Sequence, residues 1–424
     1  MAGRIVLAST WDFPNPTHAY AYQEMLGLMD LGRMELGLDV CVLYGHRCPS
    51  QDVAARFAPL LQRAFALETL QSIHDADLRH LDHHHPGKVD AFLQRVSTAT
   101  GRSLAALRAD PMISRASTFT RLCELANARY LQSWFFYDQS FMTMFAAQVL
   151  GIPRGISCHV DHVLDDHPWK LVPLQLATAD LVLAISNRTR EELLHLGGPD
   201  CAPRILVKRI GVAADLLRPV RARRTRTNNT FQLVSICRLE PKKGLLTLVD
   251  ACELLRQRGR RFRVRLVGGE DPGVPTSAAF AAAVRQRIAA LQLGDLVTLE
   301  GPVGNDGIPA VLAAADAFVA PYVELDSGDK DGIPTAIVEA MATGLPIVCS
   351  RVGAIAEAVT DGEQGLMVPQ RDAAALAAAI ERLADDTLLW NRLSAGAARR
   401  FDEEFDCRVT DRELHARVRK LVSR

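Results

Sequence analysis

The chain has 424 residues, enough for two or three domains that each bury a core. Its 49 basic and 49 acidic residues give a formal net charge of zero, which argues against nucleic acid as the main partner. Nine cysteines without a CxxC pair predict reduced thiols in a cytoplasmic protein. No apolar run reaches the ~18 residues of a membrane span, and the N-terminus lacks a signal-peptide pattern; peripheral contact with the inner face of a membrane stays open.

Short apolar runs alternate with longer helical patterns along the whole chain, which predicts an α/β fold with parallel sheets. Residues 50–128 read as mostly helical without a clear pattern. The strands predicted in the first half are Arg4–Ser9, Asp39–Tyr44, Tyr130–Phe135, Arg154–His159, Leu181–Ile185 and Ile205–Ile210.

His159 ends one of these strands, where a histidine could bind a sugar hydroxyl or transfer a proton. The alternative is a structural histidine in a turn, although the following residues 161–167 are unusually polar. A second histidine-rich stretch, residues 74–85, raises the hypothesis of a metal site. We favour a solvated loop or a chance cluster there, because the stretch lies away from any strand end, and we predict no metal.

Residues 218–230 carry five arginines, a proline and no apolar periodicity, which is typical of a linker whose arginines are solvated. A regular series of strands and helices follows it. The predicted strands are Phe231–Cys237, Phe262–Gly269, Val297–Glu300, Ala317–Ala320 and Pro346–Ser350, and the predicted helices are Gly244–Arg258, Ser277–Leu291, Ile308–Ala314, Asp372–Ala384 and, less clearly, Leu388–Leu421.

The most informative segment of this half runs from Asp329 to Gly344. It predicts a helix with Pro334 at its first position, and a helix N-terminus with free N–H groups suits a phosphate. Asp331 and Glu339 flank this point. At helical rise they would be roughly 12 Å apart, beyond the ~5 Å of retaining and the ~6.5–9.5 Å of inverting glycosidase carboxylates. They are therefore expected to hold two ends of one ligand, unless the segment is an ordinary amphipathic helix.

Three strand-end turns add candidate groups. Arg238 and Lys243 follow the first strand of the second half, where an arginine and a lysine could neutralise a diphosphate. Taken alone, this turn is more often a basic surface turn. Gly268 permits close backbone approach to a ligand, and the turn that contains Val303 could meet a base through its backbone. The fingerprints of P-loop NTPases, α/β-hydrolases and ordinary nicotinamide enzymes are absent.

The order of these pieces resembles family 4 of the retaining glycosyltransferases, which have the GT-B fold. The resemblance covers about Phe231 to Asp385. It rests on Arg238-Leu-x-x-x-Lys-Gly, Leu299-Glu-Gly-Pro, the 314–321 segment, Asp331-Gly-Ile-Pro-x-x-x-x-Glu339, Val352-Gly-x-Ile-x-Glu357 and Asp361-Gly-x-x-Gly365. The first half matches less well, through Phe13–Glu24, Gly151-Ile-Pro and His159, in the style of exopolysaccharide and colanic-acid members.

The resemblance implies two Rossmann-like domains facing across a cleft, with the C-terminal helix crossing back to the first domain. It places an acceptor-side domain at 1–217, a linker at 218–230, a nucleotide-sugar domain at 231–400 and the returning helix at 401–424. It implies transfer of a sugar, with retention, from a UDP- or GDP-linked donor to a carbohydrate or lipid-linked acceptor in surface polysaccharide or glycoconjugate biosynthesis, without a cofactor or metal.

Site roles follow from the same resemblance. Arg238, Lys243, His159 and Asp331 would be catalytic. The donor would be bound by Glu339, Gly332, Ile333, Pro334, Thr335, Gly268 and Val303.

One departure is that Asp331 stands where most members have a glutamate, and its side chain is one methylene shorter. Another is Gly211-Val-Ala in place of Gly-Val-Asp. The alternatives are a sugar-nucleotide epimerase or a phosphorylase of the same fold, and a non-catalytic GT-B subunit that binds a partner transferase.

Overall fold

The computed structural model describes residues 3–9, 12–14, 18–47, 55–66, 74–159, 169–226, 230–271 and 274–423. The chain divides into two compact units, one formed by Met1–Arg209 with Asp411–Arg424 and the other by Ile210–Thr410. Each unit is an α/β domain built on a parallel sheet. The prediction of two Rossmann-like domains is therefore confirmed.

The first unit begins with a strand and alternates strands with helices. Its described elements are β1 (Arg4–Ala8), β2 (Asp12–Phe13), α1 (Ala19–Leu31), β3 (Asp39–Tyr44), β4 (His46–Arg47), α2 (Ala58–Leu61), β5 (Ala64–Ala66), α3 (His74–His84), α4 (Lys88–Thr100), α5 (Leu104–Arg108), α6 (Pro111–Leu125), β6 (Ala128–Trp134), α7 (Asp138–Leu150), β7 (Arg154–Cys158), α8 (Val172–Thr178), β8 (Leu181–Ala184), α9 (Asn187–Gly197) and β9 (Ile205–Val207).

The described strands of this unit form a seven-stranded sheet in the order β5-β3-β1-β6-β7-β8-β9, and β2 pairs separately with β4. Both faces of the sheet are covered, as alternate side chains of β1 show. Val6 and Ala8 pack into one apolar cluster, and Ile5 and Leu7 pack into another. A strand buried on both faces reads as a continuous apolar run, which is why β1 could be predicted.

Residues 74–85, expected as a solvated loop or a chance cluster, are mostly the helix α3, so the loop was wrong, whereas the expectation that residues 50–128 are mostly helical holds for this stretch. The helix is held by contacts distant in sequence, which local pattern cannot reveal: His80 and His85 each place Nε2 within 2.9 and 3.0 Å of the Glu124 carboxylate. The polar residues 161–167 and the loop residues 15–17 lie outside the described residues.

The second unit also alternates strands and helices. Its elements are α10 (Arg218–Ala222), β10 (Phe231–Ile236), α11 (Leu245–Gln257), β11 (Phe262–Val267), α12 (Ser277–Ala290), β12 (Val297–Leu299), α13 (Ile308–Ala313), β13 (Ala317–Ala320), α14 (Thr335–Ala342), β14 (Ile347–Ser350), β15 (Gly365–Val368), α15 (Ala373–Asp385) and α16 (Thr387–Glu404), and α17 (Cys407–Val422) begins in it. The strand β15 was not predicted.

The sheet of the second unit has the order β12-β11-β10-β13-β14-β15, with every pair parallel. The direction of winding reverses between β10 and β13, which makes this point the topological switch of the sheet. Ligands of open α/β sheets bind outside the carboxyl ends of the strands at such a point. The residues that follow β10 and β13 are therefore the first place to look for a site.

The segment 218–230, predicted as a linker with solvated arginines, belongs to the second unit over its described part, and the expectation of solvation was wrong for Arg224. Its first residues form α10. Arg224 donates to the carbonyl oxygens of Leu312, Ala315 and Thr343 at 2.9, 2.8 and 2.6 Å. These carbonyls lie at the ends of α13 and α14, where helices leave oxygens without internal partners. Residues 227–229 lie outside the described part.

The C-terminal helix α17 contains the division between the units, which falls after Thr410. Its later turns lie in the first unit, where Leu414 and Val418 are buried in the same apolar cluster as Met25 and Leu28 of α1. The division at residue 410 lies inside the segment 401–424 that was assigned to a returning helix. The other division, after Arg209, precedes the boundary predicted at 217.

Replacing Gly396 in α16 by alanine should destabilise the second unit. Alanine normally favours a helix over glycine by about 0.5–1 kcal/mol, but a Cβ atom here would lie 2.0 Å from the carbonyl oxygen of Glu363. Overpacking of this kind costs about 1–3 kcal/mol. We expect a lower thermal unfolding midpoint for Gly396→Ala. Gly294→Ala is the control, because nothing lies within 4 Å of its Cβ position; equal midpoints for the two variants would contradict the packing described.

Candidate active site

The turn after β10 is locked against the segment that follows β13. Gly244 has a φ of +62°, and a Cβ atom at this position would lie 1.9 Å from the carbonyl oxygen of Pro321. The backbone N–H of Val323 donates to the carbonyl oxygen of Lys242 at 2.8 Å. The two strand ends that flank the switch point are thus in direct backbone contact, and only glycine fits at residue 244.

Lys243 lies in this turn and is buried. Its Nζ atom is 2.8 and 2.7 Å from the two carboxylate oxygens of Asp331 and 4.5 Å from the centre of the Tyr322 ring. Burial, with the nearby carboxylates, raises the pKa of the Tyr322 hydroxyl well above its usual value. The lysine is therefore held by a charge-assisted pair on one side and an aromatic face on the other.

The preceding residue, Lys242, makes a parallel pair that the sequence analysis missed. Its Nζ atom lies 3.2 Å from each carboxylate oxygen of Asp329 and 3.8 Å from Glu240. Lys242 is 8% exposed. The sequence did contain a signal for this second pair. Two adjacent lysines follow β10, and two aspartates, at residues 329 and 331, follow β13. Side chains at that spacing in an extended segment point the same way.

Arg238 is the third cation at this end of the sheet. Its guanidinium lies 2.5 Å from Asp271 and 2.8 Å from Glu240, and its side chain is 40% exposed. Burial lowers the pKa of Arg238, but the hydrogen bond to Asp271 and the charges of Glu240 and Asp331 raise it above its ordinary value. The structure thus brings Arg238, Asp331 and Lys243 into one electrostatic environment.

Gly268 and Val303 lie at the ends of the two outer strands of the same half-sheet. Gly268 has a φ of +141°, and a Cβ atom there would lie 1.8 Å from the carbonyl oxygen of Cys237. Its N–H donates to the carbonyl oxygen of Gly301 at 2.8 Å. Val303 follows in the next turn and is half-buried. The ends of β10, β11 and β12 are therefore joined by close backbone contacts.

The helix α14 begins at Thr335, and Pro334 precedes it in an extended conformation with a ψ of 128°. Pro334 is thus the N-cap residue and not the first helical residue, because its backbone has not yet turned. The segment between Asp331 and Glu339 is only partly helical, so the spacing of roughly 12 Å derived from helical rise does not apply to it.

The N-terminus of α14 is open to an anion. Within the described residues no side chain caps it, and its first turn contains no acidic residue. Ile333 is buried, whereas Gly332, Pro334 and Thr335 are half-buried. Glu339 is half-buried in the second turn of the helix. Free N–H groups and the positive end of the helix dipole favour a phosphate at this position.

His159 follows β7 in the first unit and is 9% exposed. Its ring centre lies 4.8 Å from that of Tyr20, and its Nε2 atom is 3.9 Å from Glu24. Burial and the charge of Lys208 lower the pKa of His159 to about 3, so the imidazole is neutral at pH 7. Within the described residues, neither ring nitrogen has a hydrogen-bond partner.

Neither a candidate metal cluster nor a candidate membrane-spanning helix occurs among the described residues. In the described part of the chain, no group of three or more His, Cys, Asp or Glu side chains is arranged to hold a metal ion. The described helices include none with the length and apolarity needed to cross a membrane. The described cysteines are free thiols, and burial raises the pKa of the Cys237 thiol, which lies near Lys243, to about 11.

Part of this chain is similar in sequence to known glycosyltransferases. Residues 230–386 match the family model described as "Glycosyl transferases group 1". The amylovoran biosynthesis glycosyltransferase AmsK of Erwinia amylovora is 31% identical over 62% of this chain and 61% of its own length. A putative colanic acid biosynthesis glycosyltransferase of Escherichia coli is 32% identical over 64% of this chain and 66% of its own length. The chain thus matches slightly less than two thirds of either relative.

Solved structures share the fold over nearly the whole chain. HepE of Anabaena, in complex with UDP and glucose, superposes with a TM-score of 0.69 at 18% identity and covers 98% of this chain and 99% of its own. Sucrose-phosphate synthase of Thermosynechococcus elongatus gives 0.72 at 18% identity, covering 99% of this chain and 100% of its own. The expectation of a GT-B fold is confirmed at the level of architecture.

Arg238, Lys242 and Lys243 should together bind inorganic pyrophosphate, which has the charge of a diphosphate but no sugar or base. Lys243→Ala should weaken this binding about tenfold or more, since a charge-assisted hydrogen bond is worth about 1.5–3 kcal/mol and the variant leaves Asp331 near the ligand. Isothermal titration calorimetry measures the change. Lys330→Ala is the control, because Lys330 lies in the same loop and pairs with Glu324 at 2.6 Å; the same loss in both variants would refute a specific role for Lys243.

Proposed function

We propose that this protein is a retaining glycosyltransferase that moves a sugar from a nucleotide-sugar donor to a hydroxyl acceptor in surface polysaccharide or glycoconjugate biosynthesis. One observation carries the proposal. Arg238, Lys242 and Lys243 converge with the open N-terminus of α14 at the switch point of the second sheet, inside the segment that matches the group 1 glycosyltransferases. This arrangement is more typical of a diphosphate-binding site than of a turn with a purely structural role.

In the proposed reaction the diphosphate of the donor takes the place that Asp331 occupies beside Lys243. A phosphate oxygen and a carboxylate oxygen make equivalent bonds to an ammonium group, so the exchange needs no new cation. Lys243 and Arg238 then stabilise the negative charge that develops on the leaving nucleoside diphosphate. Preorganised charge of this kind is usually the largest catalytic contribution.

The rest of the donor would be bound by the helix α14 and its approach. Backbone N–H groups at Gly332–Thr335 would bind a phosphate oxygen, and Glu339 would accept hydrogen bonds from the ribose hydroxyls. Asp331, once released from Lys243, would contact the donor sugar. Gly268 and Val303 would leave room for the base. We further propose that His159 binds a hydroxyl of the transferred sugar.

We propose that fixed side-chain cations neutralise the diphosphate, so that the reaction needs no metal ion. The donor nucleotide is proposed to be UDP or GDP. Glucose with UDP occurs in the HepE structure, and relatives 28% identical to this chain are named GDP-mannose-dependent mannosyltransferases. For the acceptor we propose a carbohydrate or a lipid-linked carbohydrate. We propose a cytoplasmic site of action, with peripheral contact at the inner face of the membrane.

The assignment predicts that Lys243→Ala lowers turnover by about 10²–10³-fold, the size of effect seen when one preorganised donor is removed. Initial rates with the donor found by mass-spectrometric screening of sugar nucleotides measure the change, and circular dichroism checks folding. Lys330→Ala should keep near wild-type turnover. Near-normal transfer by Lys243→Ala would reject the proposed site.

The stereochemistry is predicted to be retention. The anomeric proton of the first product formed, followed by NMR before any equilibration, should show the same configuration as the sugar in the donor. A product of inverted configuration would contradict the retaining assignment without affecting the identification of a glycosyltransferase.

The proposed metal independence predicts that addition of EDTA leaves the rate unchanged.

The same screen distinguishes the alternatives. A sugar-nucleotide epimerase of this fold would convert the donor with no acceptor present and release a different sugar nucleotide. A phosphorylase would carry a bound pyridoxal group with its own absorbance. A non-catalytic subunit would neither hydrolyse nor transfer any donor as a purified single chain, yet the buried pairs of Lys242 and Lys243 suit binding of a charged ligand more than a contact between proteins.

A further inference from the structure

A buried polar cluster lies beside His159 in the first unit, and the members of the cluster other than His159 have no part in the mechanism above. Its charged members are Glu24 on α1, Lys208 just after β9 and Asp411 on α17. The Nζ atom of Lys208 is 3.4 Å from Glu24 and 3.1 Å from Asp411, and Glu24 is 2% exposed. Three elements distant in sequence therefore supply one charged group each to the same buried site.

The carboxylate of Glu24 is held in place on both sides. The hydroxyl of Ser157 donates to its Oε1 atom at 2.5 Å, and Ser157 in turn accepts from the amide of Gln132 at 2.9 Å. Lys208 approaches the other oxygen, Oε2. Buried charges persist in proteins when they are paired and hydrogen-bonded in this way. The orientation of Glu24 is therefore fixed by the fold and does not depend on His159.

His159 lies beside this fixed carboxylate, and its own hydrogen bonds are unmade within the part of the chain that the structure describes. Its Nε2 atom is 3.9 Å from Oε2 of Glu24, too long for a hydrogen bond. Both nitrogens are buried without a partner among the described residues. An unsatisfied buried polar atom costs about 1–3 kcal/mol, so the ring is expected to gain partners when a ligand enters. The rings of Tyr20 and Phe135, 4.8 and 5.9 Å away, restrict its plane.

We propose that Glu24 is a positioning residue: its carboxylate, 3.9 Å from Nε2 of His159, favours the tautomer with the proton on Nε2 and so keeps Nδ1 unprotonated, as an acceptor for a ligand hydroxyl. In a neutral imidazole one ring nitrogen carries the proton and donates, and the second nitrogen accepts. A group that favours the proton on the first nitrogen therefore makes the second nitrogen an acceptor. The assignment of the hydroxyl to a sugar rests on the proposed function. The effect of Glu24 on the tautomer of His159 does not.

The other charged and titratable groups of the cluster leave this assignment intact. Lys208 presents a positive charge, which disfavours protonation of the ring but does not accept a proton from it. Asp411 and His415 lie on α17, and burial lowers the pKa of His415 as well. Lys208 contacts Asp411 directly, so replacing Glu24 leaves the lysine with a carboxylate partner.

The test reads the tautomer directly, by NMR of the full chain labelled with ¹⁵N-histidine, with His159 assigned through the His159→Gln variant. We expect the wild-type ring to be neutral between pH 8 and pH 5, with the proton on Nε2. Glu24→Met removes the negative charge that faces Nε2 at similar side-chain volume and should shift the ring toward a mixture of tautomers. A proton on Nδ1 in the wild-type protein, which needs no variant, overturns the proposal.

Asp411→Asn is the matched control, because it disturbs the same buried network at Lys208, whereas Glu24 is the carboxylate that faces Nε2 of His159. A structural role alone predicts that Asp411→Asn and Glu24→Met affect the ring equally, and equal shifts overturn the proposal. We expect the tautomer to change in Glu24→Met only.

Kinetics with the identified donor give a second readout. Glu24→Met and His159→Leu should each lower kcat/KM, and the double variant should be no slower than His159→Leu, because the residues act as one unit. Effects that multiply would overturn the proposal. Absence of any sugar transfer would reject the proposed function, whereas the tautomer result would still decide the role of Glu24.

Discussion

The candidate site of the second unit depends on one close contact, between the turn at Gly244 and the carbonyl oxygen of Pro321. Parallel strands bring their carboxyl ends to the same edge of a sheet, but this contact brings the turns that follow β10 and β13 together without a side chain between them. Lys242 and Lys243 precede that glycine, and Asp329 and Asp331 lie in the loop after β13. The two ion pairs are therefore a consequence of backbone packing.

Charge balance explains why these carboxylates lie where a phosphate is proposed to bind. Two nearly buried ammonium groups without partners would cost several kcal/mol each, so the protein must neutralise them when no ligand is bound. Asp329 and Asp331 supply that charge from a loop. This role explains why residue 331 can be an aspartate in place of the longer glutamate. The aspartate side chain already reaches Lys243 with both carboxylate oxygens.

The fold was largely predictable, because strands buried on both faces are continuous apolar runs between turn residues. The turn that carries Arg238 and Lys243 and the helix that begins at residue 335 could also be predicted from the sequence. Four features were not. The helix α3 and the packed segment after Arg218 are held by contacts with distant residues, such as Glu124 and the carbonyls at two helix ends. The pairing of Lys242 with Asp329 and the network of Glu24 and Lys208 require the folded chain, since local pattern carries no information on contacts across elements.

If the proposed site is correct, a diphosphate replaces Asp331 as the partner of Lys243. A crystal structure of the protein with a bound nucleoside diphosphate tests it directly, through the distances from Lys243 Nζ to the phosphate oxygens and to the Asp331 carboxylate. We predict a phosphate oxygen at hydrogen-bond distance, about 2.7–3.2 Å, and a longer separation from Asp331. A diphosphate bound elsewhere, with the bidentate contact between Lys243 and Asp331 intact, would contradict the proposed site.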